Sequence, residues 1–407
     1  MANSLVTIDM VTREALRIAH EKCQFIGTTD RQYDDSYAKT GAKIGAALRV
    51  RKPNQYTRTQ GSRVMDVQEQ NEQTSTITVA TQDHVDMRFN SAELALSIDE
   101  ISKRYIEPAV SVLVSGIEAD YLAFATKATY NVAGTAGSAI ASLATPGAAR
   151  AKLNQGLAPK DSNRAIQLDS VTMGGVVDGL KGLFQDSAQI KEQYREGMMG
   201  RTAMADWYEN ERIWTLTNSS DVTGNTNAAA GVTDGGTALN MFTDVVSPAV
   251  GSVFTIAGVY ACHPETKAAY ANLQQFTVVT TSAGAALAIS PPTYLTGARK
   301  NVCSSTGADL ATTDFNSKAL TFVGASSTSY AQGLMYHKEA FQFVTADLPL
   351  MDDAAKCVRR VQDGLSLRVW QASDIRNDEL LMRIDMLYGM AALRPEWASR
   401  MIGAAAA

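Results

Sequence analysis

The chain has 407 residues, 45% of them hydrophobic and 19% charged, with a net charge of -5. That length gives two or three domains with enough apolar residues for packed cores, which excludes a disordered tail. The acidic balance excludes attraction of nucleic acid by the protein as a whole, so a DNA-reading function is not expected. There is no run of about 18 apolar residues to span a bilayer. The start of the chain, with Asp9, Arg13 and Glu14, lacks the basic-then-apolar order of a secretory signal, so a cytoplasmic protein is expected. Cys23, Cys262, Cys303 and Cys357 lie far apart without a CxxC spacing and read as free thiols.

Residues 1–43 hold one helical pattern, Val11 to Cys23, in which Ala15, Ile18 and Ala19 form a narrow stripe flanked by charge. It reads as an arm that docks on another body. Asp9, Glu14 and Glu21 are the acids on it that would meet a basic partner helix. Residues 44–92 begin with a basic stretch, Arg49, Arg51, Lys52, Arg58 and Arg63, broken by Pro53 and Gly61. They then pass into the alternation Thr76-Ile77-Thr78-Val79. This predicts an extended two-stranded loop, which needs a neighbouring surface because an isolated hairpin is marginal in water. Its charges would meet acidic groups on a second copy of the chain, where complementarity fixes register.

From about Ile98 to Tyr130 the spacing turns helical, with Ile106, Val110, Leu113, Ile117, Tyr121 and Phe124 on one face. Pro108 means either a kink or a helix that starts near Glu107 with the proline in its first turn, where the missing N–H costs little. Residues 131–217 mix loops with helical patterns at Val176–Phe184 and Thr202–Trp214, and read as a compact α/β domain. From 218 to 325 the composition shifts to Thr, Ser, Ala and Gly, with apolar runs at Val253–Tyr260 and Leu320–Val323. Short strands with frequent turn signals predict a small β barrel or sandwich, with long surface loops as the other reading. Phe341–Val344 and Leu365–Val369 read as strands returning to the earlier domain.

The sequence contains no phosphate-binding loop, no H-E-x-x-H and no G-x-S-x-G. Cys262-His263 with Cys303 and His337 offers two sulfurs and two nitrogens, but without the short-spaced pairs of a structural zinc site. Asp352-Asp353 reads as a solvated turn rather than an acid–base or metal pair. No catalytic residue, metal or cofactor is expected.

The end of the chain is the most specific segment. Met382, Ile384, Met386 and Tyr388 fall on one side of a period-two strand, with Arg383, Asp385 and Leu387 on the other, which predicts a half-buried strand. Gly389 can bend or bulge its end, and Pro395 stops the pairing before Arg394. Tyr388-Gly389 followed at this spacing by Arg394-Pro395-Glu396 resembles the C-terminus of the coat proteins of P22-like tailed phages. Ile190 to Ser220, with Glu192 and Tyr194-Arg195-Glu196-Gly197, looks like the segment before the inserted domain of that family.

The resemblance implies an α+β, HK97-like capsid fold. Its parts would be an N-terminal arm (1–43), an extended loop or E-loop (44–92), and a spine helix with the peripheral domain (93–133). An axial domain (134–217 and 326–378), a β-rich inserted domain (218–325) and a closing strand with the C-terminus (379–407) complete it. It implies a major capsid protein, not an enzyme, that forms the hexamers and pentamers of an icosahedral head and lays its E-loop over the adjacent subunit. Scaffolding protein, portal protein and in some cases a decoration protein are the implied partners. The shell encloses double-stranded DNA without reading it, assembles as a procapsid in the bacterial cytoplasm, and ends in the virion. No membrane contact is implied. Fitting both hexamers and pentamers needs flexible segments, expected at the arm, Gly61, Gly134 and Gly137. A β-rich adhesin or tail-fibre protein is the alternative, against which the long helix and the missing signal stand.

Overall fold

The computed structural model describes residues 8–34, 47–61, 67, 72–90, 105–180, 200–220, 223–225, 232–240, 248–281, 286–350, 356–362, 364–374, 376 and 379–405. Among the described residues the α-helices all lie at or before Leu180 and a long run of strands follows from Arg201 onward, in the expected α+β class. The contacts divide it into two compact units, one formed by Met1–Val50, Thr74–Leu122 and Phe341–Leu393, the other by Arg51–Gln73, Ala123–Ala340 and Arg394–Ala407.

The first unit is built on a six-stranded sheet. Asp30–Asp34 pairs in parallel with Phe341–Ala346, which runs antiparallel to the 14-residue strand Glu379–Ala392. That strand also pairs with Thr81–Asn90 and with Leu365–Asp374, and Lys356–Gln362 closes the edge. The expected inward residues Met382, Ile384, Met386 and Tyr388 are buried, but so are Asp385 and Leu387, so the centre of the strand is covered on both faces. Asp385 tolerates this because it accepts from Arg368 Nε at 3.0 Å and Nη2 at 2.5 Å and from Gln82 Nε2 at 2.9 Å. Leu387 joins an apolar cluster with Ile77, Val79, Val344, Ala346, Leu348 and Ala391.

The first helix runs Ile8–Lys22 and packs on the strands Lys356–Gln362 and Leu365–Asp374. Ala15, Leu16, Ile18 and Ala19 are buried there, so the apolar stripe expected to dock on another body is covered by the chain's own sheet. The central helix spans Glu107–Ala128 with Pro108 in its first turn, the second of the two arrangements Pro108 allows. Val110, Leu113, Ile117 and Tyr121 are buried as the spacing predicts. Residues 98–104 of the expected helix lie outside the described residues. Tyr121 sits between Phe25, at 4.7 Å between ring centroids, and Phe343 at 5.3 Å, and Phe343 continues to Tyr388 at 5.5 Å. Each buried ring adds about 1.5–3 kcal/mol of apolar burial, and tilted or offset pairs add to that.

The second unit holds a mixed seven-stranded sheet in the order Val132–Ala133, Ala398–Ala405, Ser329–His337, Arg164–Leu168, Ala205–Glu209 and Arg201–Thr202, with Thr215–Thr217 also on Ser329–His337. Helix Ala144–Gln155 packs against it. The expected helix Thr202–Trp214 is therefore a hairpin and strands. Ala205 and Trp207 alternate into the core while the strand pairs in parallel with Arg164–Leu168, a partner with no local signature. The helix expected at Val176–Phe184 is Ser170–Leu180, and the rest of that range lies outside the described residues.

The Thr/Ser/Gly-rich segment folds into a second seven-stranded sheet, antiparallel throughout, centred on Val253–Cys262 and Ala269–Thr281. Phe254 packs on Phe276 at 5.8 Å and on Phe322 at 5.2 Å, in a core with Ile256, Val278 and Phe315. This is a packed β body, not a run of surface loops. It is fastened to the mixed-sheet body by side chains that imitate a strand: Val132 N–H donates to Gln275 Oε1 at 2.9 Å, and Gln275 Nε2 donates to the Val132 carbonyl at 3.2 Å. Tyr270 Oη donates to the Gln155 carbonyl at 3.3 Å and Thr277 Oγ1 to that of Lys127 at 3.2 Å. Gly134, expected as a flexible joint, is instead a close approach: a Cβ there would lie 2.4 Å from the Ile402 carbonyl oxygen.

Candidate functional site: the basic loop and the closing motif

The basic stretch forms a two-stranded sheet, Ala47–Lys52 with Gln73–Thr78, as the alternation predicts. Arg49, Arg51 and Arg58 are exposed and Lys52 is half-buried, while Arg63 lies outside the described residues. Neighbouring residues of a strand face opposite ways. Arg51 accordingly turns outward to Glu72, 3.4 Å away, while Lys52 is half-buried and its charge acts on the Glu396 carboxyl. Tyr56 and Val67 are exposed, at 56% and 79%. Such a loop can offer cations and two large apolar side chains to another surface.

The two halves of the closing motif do different work. Tyr388 Oη donates to Asp83 Oδ2 at 2.8 Å, and burial followed by that carboxylate pushes the phenol well above its ordinary range. Gly389 does not bulge the strand, since it stays in register opposite Val344. It is required instead by close approach: a Cβ there would stand 2.5 Å from the Thr78 carbonyl oxygen, at the end of the loop's return strand. Pairing ends at Ala392, before Arg394, as Pro395 demands.

Arg394-Pro395-Glu396 leads into a single 3₁₀ turn, Pro395–Trp397, that draws three segments together. Arg394 N–H donates to Ala340 at 3.1 Å, Trp397 Nε1 donates to Gly156 at 2.9 Å, and the Arg394 guanidinium stacks 4.1 Å from the Trp397 ring centroid. Gly156 is fixed by the same crowding, because a Cβ there would lie 2.4 Å from the Glu396 carbonyl oxygen. Burial raises the Glu396 carboxyl, and nearby Lys52 and Arg394 only partly offset it. Tyr130 is pushed up by burial and then by the charge of Glu396.

On the arm, Glu14 pairs with Arg17 at 2.5 Å, and that bond holds its carboxyl below the ordinary range. The side chains of Asp9 and Glu21 lie outside the described residues. So do Asp352-Asp353 and the Glu192 to Gly197 run. Among the described residues no group of three or more His, Cys, Asp or Glu side chains converges on a metal-sized site. His337 has both ring nitrogens engaged, Nε2 with Asp161 at 3.1 Å and Nδ1 as acceptor from Glu339 N–H at 3.3 Å. Burial pushes up the thiols of Cys262, to about 11, and of Cys303, which disfavours the thiolates a zinc site needs.

Glu118 and Arg400 are buried charges that the sequence reading missed. Glu118, on the central helix, accepts from Phe25 N–H at 2.6 Å and Gln24 N–H at 3.2 Å and so caps the start of the short helix Phe25–Thr28. Arg400, fully buried, donates to the carbonyls of Thr129, Gly251 and Lys127 and to Thr277 Oγ1. A lone arginine in the otherwise uncharged run Ala398 to Ile402 is the sequence signal that could have found it.

The fold thus presents a cationic loop and a motif that closes the chain on itself, and comparison with known proteins finds a match to a coat-protein family. Residues 209–403, a little under half of the chain, match the family described as P22 coat protein, gene protein 5, which supports a major capsid protein of a P22-like tailed phage. The match covers the inserted β body, the returning strands and the closing motif, and does not favour the adhesin or tail-fibre alternative. Comparison with curated proteins finds no match. Among solved structures, the chain is similar to one of Mycobacterium phage Che8, at 9% identity, TM-score 0.45, covering 91% of this chain and 88% of that one. It is also similar to the capsid of a native GTA particle, at 10% identity, TM-score 0.44, covering 99% and 93%. The capsid of cyanophage P-SCSP1u gives 11% identity, TM-score 0.43, covering 93% and 87%. The assignment rests on the family match and not on these distant likenesses.

Proposed function

We propose that this major capsid protein builds the icosahedral head of a tailed double-stranded DNA phage by repeated self-association, with the basic loop as the element offered to the adjacent subunit. The observation that carries this reading is the coat-family match over residues 209–403. The exposed Arg49, Arg51 and Arg58 and the protruding Tyr56 support it, because a strand pair with little core of its own is stabilised by a neighbouring surface. In this reading the six-stranded unit serves as the peripheral domain, the mixed-sheet body as the axial domain, and Glu107–Ala128 as the spine.

Shell stability then comes from many contacts per subunit, so that removal of one subunit is resisted by multivalency. Assembly in the host cytoplasm around a scaffolding protein, DNA entry through a portal, and decoration of the outer surface complete the proposed course. The arm acids Asp9, Glu14 and Glu21 are the proposed scaffold contacts. The double variant Arg49→Glu/Arg58→Glu tests the loop: sedimentation should show loss of shells and accumulation of small, folded assemblies. Normal shells from that variant would remove the loop from the account. Glu14→Lys/Glu21→Lys tests the arm in the same assay, and scaffold incorporated at the normal level would exclude those acids.

A further inference from the structure

The geometry points to the inserted β body as the stop that sets the position of the basic loop, acting through Tyr294. Gln73, where the loop's return strand begins, donates from Nε2 to Tyr294 Oη at 3.0 Å. Gln73 and Lys52 are half-buried while their neighbours Glu72 and Arg51 are exposed, so the paired base turns one face to solvent and the other to the body. On the outward face Arg51 and Glu72 tie the two strands to each other. On the inward face Gln73 meets Tyr294, and Lys52 lies near enough to Glu396 to act on its carboxyl.

Tyr294 is itself held as a rigid post. Its N–H donates to Asn301 Oδ1 at 2.9 Å, and its carbonyl accepts from Asn301 N–H at 3.2 Å. Next to it, Leu295 N–H donates to Asp234 Oδ1 at 2.7 Å. Arg299 lies 5.8 Å from the ring centroid on one side. Gly235, at φ +76°, comes so close that a Cβ would stand 3.1 Å from the ring. A side chain boxed in this way keeps its hydroxyl in place, so the bond from Gln73 positions the loop base and not the tyrosine. Because the β body is fastened to the mixed sheet through Gln275, Tyr270 and Thr277, the hydroxyl is a fixed reference for the loop base. Its release frees the base to change angle. The tether stands on these contacts alone; its consequence for shell geometry rests on the capsid reading above.

The test is amide hydrogen exchange on the full-length subunit and its variants Tyr294→Phe and Gln73→Leu. The first removes one hydroxyl and keeps the ring with its packing. Peptides covering Ala47–Lys52 and Gln73–Thr78 should exchange roughly fivefold faster in either variant, the effect of one ordinary net hydrogen bond. Peptides from Val253–Cys262 should be unchanged, and the double variant should go no further than either single one. Unchanged exchange at the loop base in Tyr294→Phe, or an additive double variant, would overturn the tether. Electron microscopy of the same variants separates the two readings. An altered size distribution of shells supports the stop, wild-type-like shells from a variant with a loosened base contradict it, and no shells even from the wild type would count against the capsid reading while leaving the tether standing.

Discussion

Arg400 Nε donates to the carbonyl oxygen of Thr129 at 2.7 Å, just past the end of the central helix. The same guanidinium reaches Lys127 O at 3.2 Å and Gly251 O at 2.6 Å, so one cation satisfies orphan carbonyls at a helix C-terminus, where positive charge is favoured, and on the approach to the inserted body. Burial without a facing carboxylate lowers its pKa to about 9, which still leaves it charged at neutral pH. Arg400→Met should cost about 3 kcal/mol in a urea unfolding curve, since several buried acceptors lose their donor together. Arg400→Lys should recover less than half of that, because an ammonium cannot span the same fork. A loss below about 0.5 kcal/mol for Arg400→Met, the level of an ordinary surface change, would remove this role.

Glu118 fixes the arm to the central helix by the same logic with the charge reversed. Its carboxylate accepts from the N–H groups of Gln24 and Phe25, and Phe25 in turn packs on Tyr121. Glu118→Gln keeps the shape and one acceptor oxygen for both N–H groups but removes the charge and turns the second oxygen, which Gln24 N–H also reaches at 3.3 Å, into a donor, and should lower stability by about 1–2 kcal/mol. Faster hydrogen exchange at the amides of Gln24 and Phe25 is the specific readout.

The hairpin that joins Arg201–Thr202 to Ala205–Glu209 turns through Ala203 and Met204 at φ +57° and +65°. Two-residue hairpin turns of this kind favour Asn followed by Gly. Ala203→Asn/Met204→Gly should raise the thermal midpoint, corresponding to about 1 kcal/mol. No gain in the melt would mean that the turn carries no strain.

Glu396 gives a pH signature. Burial raises its folded-state pKa above the ordinary carboxylate range. A raised folded value means that its contribution is fully present below the unfolded pKa and is lost as pH rises through the folded one. Glu396→Gln, which mimics the protonated form, should therefore melt higher than the wild type at pH 7 and equal to it near pH 4. A variant less stable at both pH values would show that Lys52 and Arg394 outweigh burial.

Much of the first unit was legible because its signals are local. The period-two pattern from Met382 to Tyr388, the three-and-four spacing from Val110 to Tyr121, and the stop imposed by Pro395 each act within a few residues. What escaped depended on distant partners. Ala205–Glu209 is a strand because Arg164–Leu168 lies beside it, and the arm's stripe is covered by strands more than 300 residues later. Gly389 offered a bend by its nature, but its role comes from the Thr78 backbone pressing on it. Arg400 and Tyr294 answer main-chain carbonyls and a single glutamine, and such pairings leave no periodic trace in a sequence.

The most direct test of the central claim is electron microscopy of the purified chain, expressed with and without the genes that neighbour it. Closed icosahedral shells, or capsomer-like rings, are the predicted result; a dispersed monomer in both preparations would contradict the capsid assignment.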